Sequence, residues 1–237
     1  MAEIDCGDRS AREVNAEIRQ LIQAGHNDIW INKPGARHNL GVGLCVAAAR
    51  IHVQGSVGYY GAGLIDGPSF EIAGEAGWGL AESMLSGSVL VRGNAGNGAA
   101  AGIRGGTVVI YGSAAARLGI SMKGGLVLVG GDCGYMAGFM GQKGTLIVCG
   151  DTGEAFADCM YETVCFVGGR IAELGNDAVV EQPTAEEAAF VDATLARYLT
   201  PEIRGEKPPG RDFEKVAAGR KLWNFDKGEW EAWQRAL

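Results

Sequence analysis

The sequence predicts an all-β solenoid, a right-handed parallel β-helix of about 19 residues per coil with a capping helix at each end, and three observations predict it. Glycine recurs at Gly55, Gly74, Gly93, Gly112, Gly131, Gly150 and Gly169, an unbroken spacing of 19. Each of these follows a short apolar run, from Ile51-His52-Val53 through Val89-Leu90-Val91 to Cys165-Phe166-Val167. A second column three residues later reads Gly58, Gly77, Gly96, Ala115, Gly134, Gly153. A unit this short cannot bury its own apolar face, so it must stack on the next.

Taken in order, Ser10 to Ala24 reads as an amphipathic helix. Ser10 and Glu13 form a capping box, Val14, Ile18, Leu21 and Ile22 share one stripe, and Gly25 ends it. Ile29-Trp30-Ile31 is the first strand expected, and residues 32–50 make an irregular opening coil. Regular coils run from about residue 51 to 170. Thr184 and Glu187 form a second capping box, opening a helix through Leu199. Beyond Pro201 the chain reads as a polar tail broken at Pro208-Pro209-Gly210, with Trp223, Phe225, Trp230 and Trp233 near its end. The divisions are 1–28 for an N-terminal helical cap, 29–175 for the β-helix and 176–237 for the C-terminal helix and extended tail. End caps suit a solenoid, whose terminal coils otherwise expose unpaired edges.

Within each strand the first and third residues (Ile51/Val53, Phe70/Ile72, Val89/Val91, Val108/Ile110, Val127/Val129) are apolar and point inward. One step after the first glycine stands a polar, outward column of Ser56, Glu75, Asn94, Ser113, Asp132 and Asp151. A column of small residues, Ala62, Ala81, Ala100, Gly119, Gly138 and Ala157, follows further on. The glycine columns are expected where the coil bends through φ > 0 and where stacked backbones leave little room for a side chain. Strands about 4.8 Å apart make seven or eight coils a rod roughly 35 Å long.

The middle residue of each strand faces outward. It is His52 and Glu71 in the first regular coils, then Leu90, Val109, Leu128, Ile147 and Phe166. Five stacked apolar side chains form a strip that a soluble surface rarely tolerates. Either the chain's own C-terminal helix, through Phe190, Val191 and Leu195, or a partner subunit must cover it.

Gly is 39 of 237 residues and Pro only 6, which fits neither collagen nor a disordered Pro-Gly tract. The net charge of −7 argues against a nucleic-acid binder. The sign is uneven, since residues 84–150 carry Arg92, Arg104, Arg117, Lys123 and Lys143 against Asp132 alone. Such a stripe is a solvated face or a docking surface for an acidic partner. Met1 to Asp8 shows no secretory pattern, no apolar run reaches membrane-spanning length, and the six cysteines show no C-x-x-C pair. A cytoplasmic chain with reduced thiols is expected, away from membranes.

Few residues offer chemistry. The Gly-x-Gly patterns, such as Gly77-Trp78-Gly79 and Gly96-Asn97-Gly98, have no room for the crossover helix a dinucleotide loop requires. His26, His38 and His52 stand beside no Cys or carboxylate at metal-ligand spacing. Cys133 and Cys149 read as packing residues. Glu75, Asp132 and Asp151 would place carboxylates on one surface, as a solvated edge, a metal site or an acid–base pair. Of catalytic, cofactor-binding and metal-ligating residues, none is assigned.

The stretches Gly93–Gly98, Gly105–Gly112, Gly130–Met136 and Gly150–Ala157 resemble coils of the GXGXG domain at the C-terminal end of the glutamate synthase large subunit. The resemblance spans roughly residues 25–175, and similar repeats occur in one of the subunits of formylmethanofuran dehydrogenase. A free-standing chain of this kind resembles the split glutamate-synthase-like complexes, N-methylglutamate synthase (methylamine–glutamate N-methyltransferase) foremost among them. The resemblance implies a hetero-oligomer with a glutamine-amidotransferase-like subunit and an FMN-binding subunit that carries an iron–sulfur cluster. The implied reaction turns glutamate and methylamine into N-methylglutamate and ammonia. It also implies that this chain is a spacer without cofactor or catalytic residue, supporting the flavin subunit and an internal ammonia path.

Overall fold

A computed structural model describes residues 2–199 and 210–220 of the chain. Its frame is one sheet of eleven strands, built by stacking one strand per coil. The strands are β1 (Ala2–Asp5), β2 (Asp28–Asn32), β3 (Arg50–Gln54), β4 (Ser69–Ile72), β5 (Ser88–Val91), β6 (Thr107–Ile110), β7 (Lys123–Val129), β8 (Lys143–Val148) and β9 (Glu162–Val167), followed by β10 (Ala178–Glu181) and β11 (Glu214–Ala218). From β1 to β9 every neighbour is parallel. From β3 onward equivalent residues pair at the 19-residue repeat, with one extra residue between β7 and β8 at Lys123↔Lys143. The solenoid expected from the glycine spacing is what the chain forms.

The inward assignment holds. Ile51, Val53, Phe70, Ile72, Val89, Val91, Val108 and Ile110 are all buried. A second ladder of parallel bridges runs down another side of the coils through Val57, Ala76, Ala95, Ala114, Cys133, Thr152 and Ile171.

Helix α1 (Ala11–Gln23) starts at the Ser10 cap, where Ser10 and Glu13 bond each other's backbone reciprocally. It buries Val14 and Ile18 in the main core. Helix α2 (Ala185–Tyr198) is capped in the same way by Thr184 and Glu187.

Three strands were not legible in the sequence. β1 precedes the expected first strand and extends the parallel sheet by one rung. β10 and β11 lie in what reads as inter-element coil and tail, and β11 inserts antiparallel between β9 and β10. Their sequences carry little apolar signal: Val216 is the one fully buried residue of β11, and Ile4 of β1. The covering of the last coil by an antiparallel strand ends the parallel stack with paired rather than open backbone. The expected break at Pro208-Pro209 and the tail residues Trp223, Phe225, Trp230 and Trp233 lie outside the described residues.

Candidate docking face

The outward file of the sheet divides in two. Val109, Leu128, Ile147 and Phe166 are buried, joined by Val191, Leu195 and Leu199 of the α2 region and by Phe213, which precedes β11. The chain therefore covers its own apolar strip. Phe190 takes no part and is exposed. Lys215 is the next rung after Phe166 and bonds both Glu181, at 3.2 Å, and Glu187, at 2.8 Å. Burial opposes the charge on Glu187, but the Lys215 ammonium and the Thr184 N–H outweigh it and hold the carboxyl below its ordinary range. The hydrogen bond to Glu187 likewise holds Lys215 above its ordinary value. This clamp ties the start of α2 to the sheet.

In the N-terminal half the same file is polar. His52 stacks on Trp30 with ring centroids 4.4 Å apart, its Nε2 lies 3.0 Å from Asp28, and its Nδ1 faces Glu71 at 3.6 Å. Arg92 pairs with Glu71 and lies over the Tyr111 ring. These residues wall the covered strip on its open side.

The polar column after the first glycine is a hydrogen-bonding ladder rather than a loose solvated edge. Ser56 Oγ accepts from the Glu75 N–H, Asn94 Oδ1 from Ser113, Ser113 Oγ from Asp132, Asp132 from Asp151, and Asp151 from Arg170, each 19 residues on. Side-chain acceptors of Ser, Asn and Asp here serve backbone donors of the next coil, and the Glu75 carboxylate accepts instead from the Asn94 side-chain amide. Glu75, Asp132 and Asp151 are thereby committed to structure.

Gly55, at the head of the glycine column, has the expected positive φ of 147°; from Gly74 onward the column is explained by this ladder and not by φ. Gly74, Gly93, Gly112, Gly131, Gly150 and Gly169 all have ordinary φ. A Cβ at Gly93 would stand 2.8 Å from Glu75 Cγ, and one at Gly131 would stand 2.5 Å from Ser113 Oγ. Each glycine makes room for the ladder side chain of the coil before it. The positive φ expected there falls instead on the turn: Ala62, Ala81, Ala100, Gly119, Gly138 and Ala157 all adopt it. So do two flanking columns, of which Tyr60, Gly79, Gly98, Arg117 and Met136 form one and Leu64, Ser83, Gly102, Ser121 and Met140 the other.

Left-handed residues at every second position aim successive amides at opposite neighbours. Thus the Tyr60 N–H bonds Trp78 O in the next coil, Ala62 bonds back to Leu40 O, and Leu64 bonds forward to Glu82 O. With its backbone so occupied, the turn presents its side chains to solvent. Of ten large apolar residues exposed among the described residues, six lie on this turn, Tyr59, Tyr60, Leu64, Trp78, Tyr135 and Met140, and Leu85 and Tyr161 follow it. His38, Tyr59 and Trp78 stack in sequence at 4.4 and 5.3 Å. An open groove of about 430 Å³ is bounded by Tyr60 and Trp78 at one end and Tyr135 at the other, with Gly79, Asn97, Gly98, Ala101 and Ala116 between and with Glu82 and Arg117 also facing it.

The basic stripe is split by the fold. Arg92 belongs to the sheet face, whereas Arg117 lines the groove, and Arg104, Lys123 and Lys143 lie exposed further along the same coils without an ion pair among the described residues. The sequence held these signals as scattered aromatics and cations; only the turn geometry brings them to one face.

Cys133, Cys149 and Cys165 are packing residues. Cys133 is a buried rung of the second ladder, and burial pushes it up to about 12; burial drives Cys165 higher still. Cys149 is buried in the cluster under α2. His26 is exposed beyond α1, and among the described residues no three His, Cys, Asp or Glu side chains come together in a way that could hold a metal ion. No helix among the described residues is long and apolar enough to cross a membrane.

No protein-family model matches the chain. Its fold is similar to that of a chain in the crystal structure of the formyltransferase/hydrolase complex (FhcABCD) from Methylorubrum extorquens in complex with methylofuran, with a TM-score of 0.66 and 21% identity over 85% of this chain and 86% of that one. It is 48% identical over 228 residues to Protein GlxC of Rhizobium meliloti (strain 1021), which covers 95% of this chain and 97% of the relative. Identity at that level along nearly the whole length of both chains places this chain in the GlxC family.

Proposed function

We propose that the chain is a GXGXG subunit of a glutamate-synthase-like complex, N-methylglutamate synthase in particular, and that it organises the other subunits without performing chemistry itself. One observation carries the reading: the chain covers its own apolar strip with α2 yet leaves six large apolar side chains exposed on the turn face. A surface rich in Trp, Tyr and Arg is the composition of interface hot spots. The GlxC relative supports a glutamate-synthase-like subunit, and the choice of N-methylglutamate synthase within that class rests on the GXGXG resemblance of a free-standing chain. The partners would be a glutamine-amidotransferase-like subunit and an FMN-binding subunit with an iron–sulfur cluster. The same architecture would serve a split glutamate synthase.

A second reading, a counterpart of the repeat-bearing subunit of formylmethanofuran dehydrogenase, draws on the fold likeness to the FhcABCD chain. At 21% identity that likeness is one of fold, and the GlxC relationship outweighs it.

Co-expression of the chain with the two proposed partners tests the reading. The expected result is a complex with flavin and iron–sulfur absorbance that forms N-methylglutamate from glutamate and methylamine, while the chain alone shows neither. A chain that stays apart from both partners, or binds stoichiometric flavin alone, overturns it.

A further inference from the structure

Trp78 and Tyr135 occupy the same coil position 57 residues apart, which is three coils of the stack. At about 4.8 Å per coil their backbones are roughly 14 Å apart. Two rings sandwiching a planar cofactor would need to stand only about 7 Å apart. A polypeptide segment, at about 10 Å across, fits the interval. The floor is correspondingly low, since Asn97 and Ala116 fill the two intervening coils of the aromatic column.

Charge sets the character of that segment. On a chain of net −7, the groove and the coils beside it collect Arg117, Arg104, Lys123 and Lys143, all exposed and without an ion pair among the described residues. Glu82 stands in the coil of Trp78, Glu154 one coil beyond Tyr135, and Glu162 is in register with Lys143, so the coils of Arg117, Arg104 and Lys123 are the ones clear of carboxylates on this side. Cations left unpaired next to exposed aromatic rings favour an anionic partner and speed its encounter.

We infer that the groove between Trp78 and Tyr135 seats an acidic segment of a partner polypeptide, with an apolar or aromatic anchor against Tyr60 and Trp78 and carboxylates on Arg117 and Lys123. This rests on the subunit role proposed above for the partner's existence, but the site can be probed without that partner. Glu82 gives the groove direction, because it repels carboxylates from the end where the anchor packs.

The probe is a glutamate–tyrosine copolymer, titrated into the full chain at low salt and followed by calorimetry and by tryptophan fluorescence. Saturable binding is expected, weakening as salt rises, with none to polylysine. Arg117→Glu and Trp78→Ala should each weaken it by about tenfold or more. Arg12→Glu, the same charge change on an exposed position of α1, should leave it within about twofold. Circular dichroism confirms that each variant is folded.

In the co-expressed complex the two groove variants should release a partner at salt concentrations that wild type withstands. Copolymer binding that is absent, or indifferent to the groove variants, overturns the proposal. So does self-association through the groove, seen as a dimer that Trp78→Ala dissociates. A chain that binds copolymer through the groove but assembles with neither proposed partner keeps the site and refutes the choice of complex.

Discussion

Asn94 Oδ1 accepts a hydrogen bond from the backbone N–H of Ser113, 19 residues on, at 2.8 Å. Asn94 also donates from Nδ2 to Glu75 one coil back, at 3.2 Å, so a single side chain joins three coils. Asn94→Ala is expected to lose about 1 kcal/mol by stranding the Ser113 amide. Asn94→Ser, the residue type at Ser56 and Ser113, keeps an acceptor without setting a second carboxylate against Glu75 and should lose less. Urea midpoints of the two variants check the order; equal losses would show that the acceptor is irrelevant.

Gly93→Ala tests the crowding explanation. The backbone there is ordinary, so any cost comes from a Cβ pressed on Glu75 Cγ and on Gly74 O at 3.0 Å. A loss of about 1–3 kcal/mol is expected. Removing the obstacle with Glu75→Ser, the residue type already used at Ser56, should recover part of it. If Gly93→Ala is neutral, the ladder does not dictate the glycine column.

Ser83 sits at φ 54°, in a column where Gly102 already occurs naturally. Left-handed conformation costs a non-glycine residue roughly 1–2 kcal/mol, against about 0.5–1 kcal/mol of extra chain entropy lost by glycine on folding. Ser83→Gly should therefore stabilise slightly, by about 0.5 kcal/mol. Thermal melts would show a rise in midpoint, in contrast to the fall at Gly93.

Leu195 is buried among the strip residues. Leu195→Ala should lose about 2–4 kcal/mol through transfer and cavity terms. Because α2 lies outside the coils, its loosening should appear first as protease cleavage in α2 with the solenoid intact. Simultaneous loss of both would mean that the strip and the coils unfold as one unit.

The Lys215 clamp makes α2 docking depend on pH. Glu187 is held below its ordinary 4.5, so its contribution is present above that value and is lost as pH falls through the lower folded value. Lys215 is held above its ordinary 10.5, so its contribution is full below that and is lost only in stronger alkali. The difference in melting temperature between wild type and Glu187→Gln should be largest near about pH 6 and shrink by about pH 3. A difference independent of pH would remove the clamp from the account.

The sequence by itself determined the solenoid, its period, both capped helices and which strand residues face inward, because those properties repeat or are local. A 19-residue spacing of Gly74, Gly93 and Gly112 admits only stacking, and Ser10/Glu13 or Thr184/Glu187 cap a helix whatever surrounds it. It also showed that the Leu90-to-Phe166 strip needed a cover. Tertiary structure alone chose α2 and Phe213 over a partner, since that choice depends on where the chain returns after the last coil. It alone placed β11 between β9 and β10, where backbone pairing matters more than the weak apolar pattern of Glu214–Ala218. It also moved positive φ from the glycine columns beyond Gly55 to Ala81, Ala100 and their neighbours. A turn's backbone angles follow from the amides it must satisfy in adjacent coils, and no single coil's sequence records those neighbours. The groove between Trp78 and Tyr135 arises the same way, as residues 57 positions apart become walls of one surface only once the coils are stacked.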